Sequence, residues 1–231
     1  MKKLNILFTL IIIAFFTISL FAKDSGKIAI IIKAKGKVSV VNTKSKKSKK
    51  ARRGLKLYSG DKIVTGSNGK VAIKFSDDGS MVRIRKNSTC IIKGKLQKDR
   101  KTLAKNVYVE VGTIFSKITK QKSLFRVSTP TSVASVKGTM FWTVQEGNGG
   151  ATYYYGEEGI VEIVSKGGSA LLKKGQTGYV KSKNAKPIIT KTKPGEGPGG
   201  GVEGGVDDFD IEFMNDKGQK VDLKFKVETK K

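Results

Sequence analysis

From about residue 27 onward the apolar residues of this chain recur at every second position, in short runs broken by turn residues, and that period restricts the chain to β-structure. Val71, Ile73 and Phe75, then Val82 and Ile84, alternate with Lys70, Lys74, Arg83 and Arg85. Val107, Val109 and Val111 alternate with Tyr108 and Glu110, and Tyr153–Tyr155 and Ile160–Val164 are further aromatic or β-branched runs. The breaks between them are Gly60-Asp61, Asn68-Gly69, Asp78-Gly79, Asn148-Gly149 and Gly167-Gly168, residues that supply turn conformations. After the leader no window carries a helical stripe. Residues 94–106 read as a polar loop. The expectation is a single all-β domain over 27–193, either a β-solenoid-like stack or a β-sandwich or roll.

The N-terminus bears on compartment. Met1-Lys2-Lys3 is followed by an almost wholly apolar stretch from Leu4 to Phe21, then Ala22 and the polar Lys23-Asp24-Ser25-Gly26. That order is a signal peptide over residues 1–22. The apolar stretch nearly reaches spanning length and Leu20 stands where a small residue is preferred, so an uncleaved anchor is the alternative. Either way the rest of the chain is expected outside the cytoplasm, in the periplasm or cell envelope.

Composition then removes whole classes of chemistry. There is no histidine and a single cysteine, Cys90. A histidine-based triad and a closed zinc site are therefore excluded, and no internal disulfide can form. No nucleophile sits in a recognisable base-adjacent motif, so no enzyme activity, cofactor or small-molecule substrate is expected. Asp207, Asp208 and Asp210 lack the glycine and distal glutamate of a calcium loop. Cys90, in Thr89-Cys90-Ile91-Ile92, reads as a buried small hydrophobe. Phe141 and Trp142 read as core, with a sugar-stacking platform as the sharper alternative.

Two segments stand apart from the core pattern. Residues 194–206 are rich in glycine and proline and read as a flexible linker. Beyond it, over 207–231, Phe209, Ile211 and Phe213 alternate with acidic residues; Val221, Leu223, Phe225 and Val227 alternate mainly with lysines. With Asn215-Asp216-Lys217-Gly218 between them this is a C-terminal β-hairpin. The other segment is 44–53, KSKKSKKARR, expected as a loop between two strands. The net charge of the chain is +27, with lysine spread through every strand.

Several motifs occur in a fixed order. Gly36-x-Val38-x-Val40 is followed by Gly60-Asp61-x-Ile63-x-Thr65-Gly66-x-x-Gly69, then Val71-Ala72-Ile73-x-Phe75, Asp78-Gly79-Ser80 and Val82-x-Ile84. Later come Phe125-x-Val127-x-Thr129-Pro130-Thr131-x-Val133-Ala134-x-Val136-Lys137-Gly138-Thr139-x-Phe141, Gly159-Ile160-Val161 and Gly175-Gln176. In this order they resemble the FecR-type periplasmic domain, over about residues 36–182. The resemblance implies an external β-domain that presents a surface to another macromolecule in envelope signalling. Its best-known members also carry a cytoplasmic sigma-regulating segment, and only Met1 to Lys3 precede the apolar stretch here, so that segment is expected to be lacking.

The motif residues Gly60, Asp61, Gly66, Asp78, Gly79, Ser80, Thr129, Pro130, Thr131, Gly138, Thr139 and Phe141 are expected to be structural. Asp61 should bond backbone two residues on, Asp78-Gly79 should make a hairpin turn, and Pro130 should mark a strand start or edge. Residues 125–141 read as two strands meeting at a corner. Lys137 has two readings: a structural one, as an ion pair with a buried carboxylate such as Glu158 or Asp61 or as a side chain snorkelling from a strand, or a partner contact. The functional expectation is a non-catalytic binding, scaffold or signalling module docking an envelope protein. The alternative is an adhesion-type module holding acidic polysaccharide or anionic lipid through Lys46, Lys47, Lys49, Lys50, Arg52 and Arg53. Nucleic acid is not expected, because the compartment does not offer it.

Overall fold

The computed structural model describes residues 26–43, 45–96, 103–119 and 124–198, together with the backbone of 213–214 and 220–221. The leader 1–22, most of the linker and most of the tail lie outside the described residues. In chain order the strands are β1 Ala29–Lys35, β2 Val38–Asn42, β3 Ser48–Lys50, β4 Lys56–Leu57, β5 Asp61–Thr65, β6 Lys70–Phe75, β7 Met81–Ile84 and β8 Thr89–Leu96. They continue as β9 Leu103–Ile118, β10 Phe125–Ser128, β11 Val133–Val136, β12 Thr139–Gln145, β13 Thr152–Glu158, β14 Ile160–Ser165, β15 Gly168–Lys173, β16 Gln176–Val180 and β17 Ile188–Lys191. No α-helix occurs among the described residues; one 3-10 turn spans Gly147–Gly149.

Strand pairing sorts these into two layers. A front sheet runs β4-β1-β6-β7-β9-β12-β13-β16-β17. A back sheet runs β3-β2-β5-β8-β9-β10-β11-β14-β15. The chain crosses between layers after every one or two strands, so each hairpin covers the one before it. Pairing is antiparallel except between β9 and β10, which run parallel. Of the two architectures the sequence allows, this is the sandwich or roll.

The layers are one continuous sheet because β9 belongs to both. Its first half pairs with β8 and β10 in the back sheet; its second half pairs with β7 and β12 in the front sheet. The change of layer falls at Gly112, whose φ is 106°, a conformation side chains rarely adopt. A Cβ there would stand 2.2 Å from Ser88 Oγ and 2.5 Å from Ser88 Cα. Period-two alternation then turns one face of each sheet inward. Val40, Ile63, Val107, Val109, Val127 and Ile163 from the back meet Ile31, Ile73, Val82, Ile84, Ile114 and Phe141 from the front in one core. Phe75 of the front sheet and Phe125 of the back sheet meet edge to face at 5.4 Å.

One inward residue is a lysine. Lys105 lies on β9 between the buried Leu103 and Val107, and its side chain is fully buried. It reaches across the core to the β6–β7 turn, where its Nζ donates to Asp77 Oδ2 at 2.7 Å and Asp78 Oδ2 at 2.6 Å, and lies 5.6 Å from the Phe75 ring. Asp77 Oδ2 also accepts the Leu103 N–H, and Asp78 Oδ1 accepts the Ser80 N–H, which shapes the Asp78-Gly79 turn. This corrects the reading of 94–106 as a polar loop. Residues up to Leu96 and from Leu103 are strand, and the lysine at an inward position hid the alternation.

Near the C-terminus two short strands, β18 Phe213–Met214 and β19 Lys220–Val221, pair antiparallel with Phe213 opposite Val221. The rest of the expected hairpin lies outside the described residues.

Two substitutions check this account. Lys105→Met keeps most of the volume but leaves two largely buried carboxylates without their cation, and should cost about 3–5 kcal/mol in urea unfolding. Adding Asp77→Asn and Asp78→Asn should recover part of that loss; no recovery would mean that the lysine acts through packing alone. Gly112→Ala should lose at least about 2 kcal/mol through backbone strain and the clash with Ser88.

Candidate functional site

The long motif at 125–141 is built into the interface between the layers. β10 and β11 form a hairpin, with Phe125 opposite Val136 and Ser128 opposite Val133. Pro130 lies in the connecting turn, where its missing N–H is not needed. Thr129 Oγ1 accepts the N–H of Ser132 at 3.1 Å and of Thr131 at 3.3 Å, closing the turn. The same hydroxyl meets Thr152 Oγ1 of the front sheet at 2.9 Å, and Ser132 Oγ meets the Tyr154 hydroxyl at 2.9 Å. Thr131 also bonds Thr152, which donates to Gln145 Oε1. Burial pushes the Tyr154 phenol up to about 12, against the opposite pull of its bonds to Ser132 and Thr129. The motif hydroxyls therefore join the sheets at the turn end of β10, as Lys105 joins them near Phe125.

The motif holds three strands, β10, β11 and the start of β12, where two meeting at a corner were expected, because Thr129–Ser132 turn the chain back on itself; the corner falls after β11, at Lys137-Gly138, where Gly138 has a φ of 148°. Phe141 is in the core. Thr139 is buried, and its hydroxyl, like those of Ser116 and Thr143, has no hydrogen-bond partner among the described residues. Lys137 is exposed at the corner. It forms no ion pair with Glu158 or Asp61, which corrects the structural-pair reading. Asp61 is satisfied elsewhere: Oδ1 accepts from Asn42 Nδ2 at 2.9 Å and Oδ2 from the Tyr58 N–H at 2.9 Å. It thus bonds three residues back, not two residues on, because it starts β5 directly after the turn it closes.

Among the earlier glycines, Gly60 has a φ of 97° and its carbonyl accepts from Thr43 Oγ1 at 2.7 Å. Gly66 donates its N–H to the Lys37 carbonyl at 2.8 Å. Gly79 occupies the β6–β7 turn, and Ser80 Oγ donates to Asp78 Oδ2 at 2.9 Å. All of these hold turns.

The basic segment is partly strand, a correction to the loop expectation. β3 pairs with β2, placing Lys49 opposite Val40 and Lys50 opposite Ser39. Lys46 has a φ of 57° at the hairpin tip. Lys46, Lys47, Lys49 and Lys50 are exposed on this edge of the back sheet, and Arg52 and Arg53 are exposed in the turn from β3 to β4. Cys90 is fully buried, and burial, aided by the charge of Glu110, pushes its thiol well above the ordinary range.

The outer face of the front sheet holds residues that sequence reasoning passed over. Phe141 and Trp142 separate by alternation: Phe141 faces the core and Trp142 faces outward. Trp142 is nonetheless only 2% exposed. Phe115 lies against it at 4.8 Å, and the Arg85 guanidinium stacks over it at 5.0 Å. Arg83 stacks over Phe115 at 5.8 Å, and Tyr153 leans on Tyr179 at 5.0 Å. The polar side of each alternating strand was legible, but which strands are neighbours was not. Among the described residues, no group of three or more Cys, Asp or Glu side chains is placed to hold a metal ion.

Comparison with known proteins adds the family. Two crystal structures of a candidate anti-sigma factor from Parabacteroides distasonis ATCC 8503, at 1.65 and 2.50 Å, each align with a TM-score of 0.49 and 15% identity. The alignment covers 56% of this chain and 59% of that one, so it spans less than two thirds of the solved protein. No curated protein matches the sequence. The family model described as FecR protein matches residues 61–162, from the start of β5 into β14 and across the whole 125–141 motif. Over residues 61–162 the chain is a FecR domain.

Proposed function

We propose that the chain is an exported, non-catalytic FecR-domain module that presents a rigid surface to an envelope protein. The observation that carries this reading is where the motif lies. Thr129, Thr131, Thr139 and Phe141 are buried, and the Thr129–Thr131 hydroxyls bond across the layers. The buried ionic groups are likewise engaged, Lys105 with Asp77 and Asp78, Asp61 with Asn42 and Tyr58. What the family shares is thus a frame, and the frame leaves its outer faces and corners for recognition. Lys137, exposed at the corner inside the densest motif, is the candidate protein contact.

The second reading is polyanion binding through the β2–β3 edge. It is favoured by four exposed lysines on one short hairpin and two exposed arginines in the turn directly after it, which repel one another unless an acidic partner is present. Acidic polysaccharide and anionic lipid headgroups are the partners of that chemistry.

Three measurements test these readings. Intact mass of protein from cells should match a chain starting near Lys23; a full-length mass in the membrane fraction would replace cleavage with an anchor. Lys137→Ala should leave the melting temperature unchanged and abolish photo-crosslinking to an envelope protein from a probe at the neighbouring Ser135. Unchanged crosslinking would remove Lys137 as a contact. Replacing the six basic residues of 46–53 by Ser should shift stability by less than about 0.5 kcal/mol. Adsorption to anionic vesicles at low salt should fall, and unchanged adsorption would dismiss the edge as a polyanion site.

A further inference from the structure

The sandwich has four edge strands, β4 and β17 in the front sheet and β3 and β15 in the back sheet. An edge strand offers main-chain donors and acceptors to any other strand, and folded proteins blunt it by shortness, lysine or proline. Three of these edges are blunted. β4 is two residues long. β3 is Ser48-Lys49-Lys50, next to Lys46 and Lys47. β17 starts directly after Pro187 and ends on Lys191. β15, Gly168-Ser169-Ala170-Leu171-Leu172-Lys173, has no proline, no bulge in its ladder with β14, and no charge before its last residue.

Exposed apolar surface gathers at the same place. Among the described residues the large exposed hydrophobic side chains are Ile160, Val164, Leu171 and Ile188. Three of them lie on the β14–β15 hairpin, and Leu171 is 57% exposed. The register sets Leu171 beside Glu162, Lys173 beside Ile160 and Ser169 beside Val164. β11 extends two of these rows, with Ser135 opposite Glu162 and Val133 opposite Val164. On a chain of net charge +27, these rows hold one glutamate and one lysine and are close to neutral. The entry to β15 is covered, because the Lys166 N–H donates to the Lys183 carbonyl at 2.9 Å and Ser165 Oγ to the Ala185 carbonyl at 2.7 Å. From Ser169 onward the strand pairs with β14 alone among the described residues, and at its end the Lys173 N–H donates to Gln176 Oε1 at 2.8 Å.

We propose that β15 is a self-association edge: two copies of the chain pair β15 with β15, antiparallel about a two-fold axis at Leu171, and join their back sheets into one. Charge selects a second copy as the occupant. Two such basic chains repel over most of their surface and can approach where that surface is close to neutral. β3 and β15 are opposite edges of the back sheet, so this pairing keeps the two β2–β3 hairpins at the far ends of the joined sheet. An acidic foreign strand would be drawn to the lysines of β3 and finds none inside β15. The axis at Leu171 sets that residue against its own copy and holds the two Lys173 residues about 14 Å apart along the strands. Each Lys173 then stands about 12 Å, Cα to Cα, from Glu162 of the other copy, a diagonal that the two long side chains span. The contact is well below the about 1,600 Å² of a standard interface, so the dimer is weak, with a dissociation constant on the order of 10–100 μM. The pairing rests neither on export nor on the envelope contact at Lys137.

The test is sedimentation equilibrium of the full chain purified from cells, over concentrations that bracket that constant. The native chain should pass from monomer to dimer. Association should strengthen at least about threefold between about 50 and 500 mM salt, because screening weakens the repulsion between like-charged copies. Leu171→Glu and Leu171→Lys should each weaken association at least about tenfold at an unchanged melting temperature, since like charges then stand directly opposite. Mixed one to one, the two variants should recover association, because the facing charges are then opposite. Leu171→Cys should form a disulfide between copies when oxidised with diamide. Glu162→Cys, whose two copies stand three strand spacings apart, should not, and Cys90 is buried. A chain that stays monomeric at every concentration and salt would overturn the proposal. So would association that weakens with salt, native-like association of both single Leu171 variants, no gain on mixing them, or a photo-crosslinker at Leu171 that reaches only foreign protein in cells.

Discussion

A single strand that serves two sheets fixes the geometry of everything else. Because β9 pairs with β8 and β10 through its first half and with β7 and β12 through its second, the angle and separation of the layers are set where it bends, at Gly112. Two-layer β folds otherwise hold together only through side chains, which allow small shifts. Here the backbone itself is continuous between layers, and the close approach of Ser88 to Gly112 leaves no room for a Cβ that would relax the bend.

Polar contacts inside the sandwich complete that restraint from both ends of β10. Lys105 with Asp77 and Asp78 binds the front-sheet turn to the back sheet beside Phe125. The hydroxyls of Thr129, Thr131 and Ser132 bind the back-sheet turn to Thr152 and Tyr154. Neither group is a strong source of net stability, since desolvation offsets most of the attraction in a buried ion pair. Their effect is on alternatives. A one-residue slip of β9 would move Lys105 from the core face to the outer face and strand two carboxylates, so the register is specified by charge as well as by apolar pattern.

This division explains which parts could be read from sequence. The strand class, most turns and the burial of Cys90 followed from alternation and turn chemistry, because these are local properties. Lys105 did not. A lysine on the inner face looks like a polar loop residue until its partners, 27 and 28 positions away, are brought to it. The outer aromatic and arginine rows were unreadable for the same reason. Arg83, Phe115, Trp142 and Tyr155 come from four strands, and no spacing in the chain announces that those strands are neighbours. Asp61 was assigned the right task, satisfying a turn, with the wrong direction, since an aspartate after a glycine can bond backwards or forwards and only the strand that follows decides.

The placement of charge follows from the same frame. A net charge of +27 on one small chain works against compaction. The fold crowds part of it: four lysines are exposed on the β2–β3 hairpin with Arg52 and Arg53 in the turn that follows, and Lys35 stands opposite Lys70 across a strand pair. A loosely packed sandwich could relieve such crowding by fraying at its edges or sliding its layers. The shared strand and the two buried polar clusters remove those routes, so repulsion stays concentrated on surfaces that cannot rearrange. Rigidity in the core and basic crowding on the outside thus follow from one frame, in which the buried motif holds the geometry.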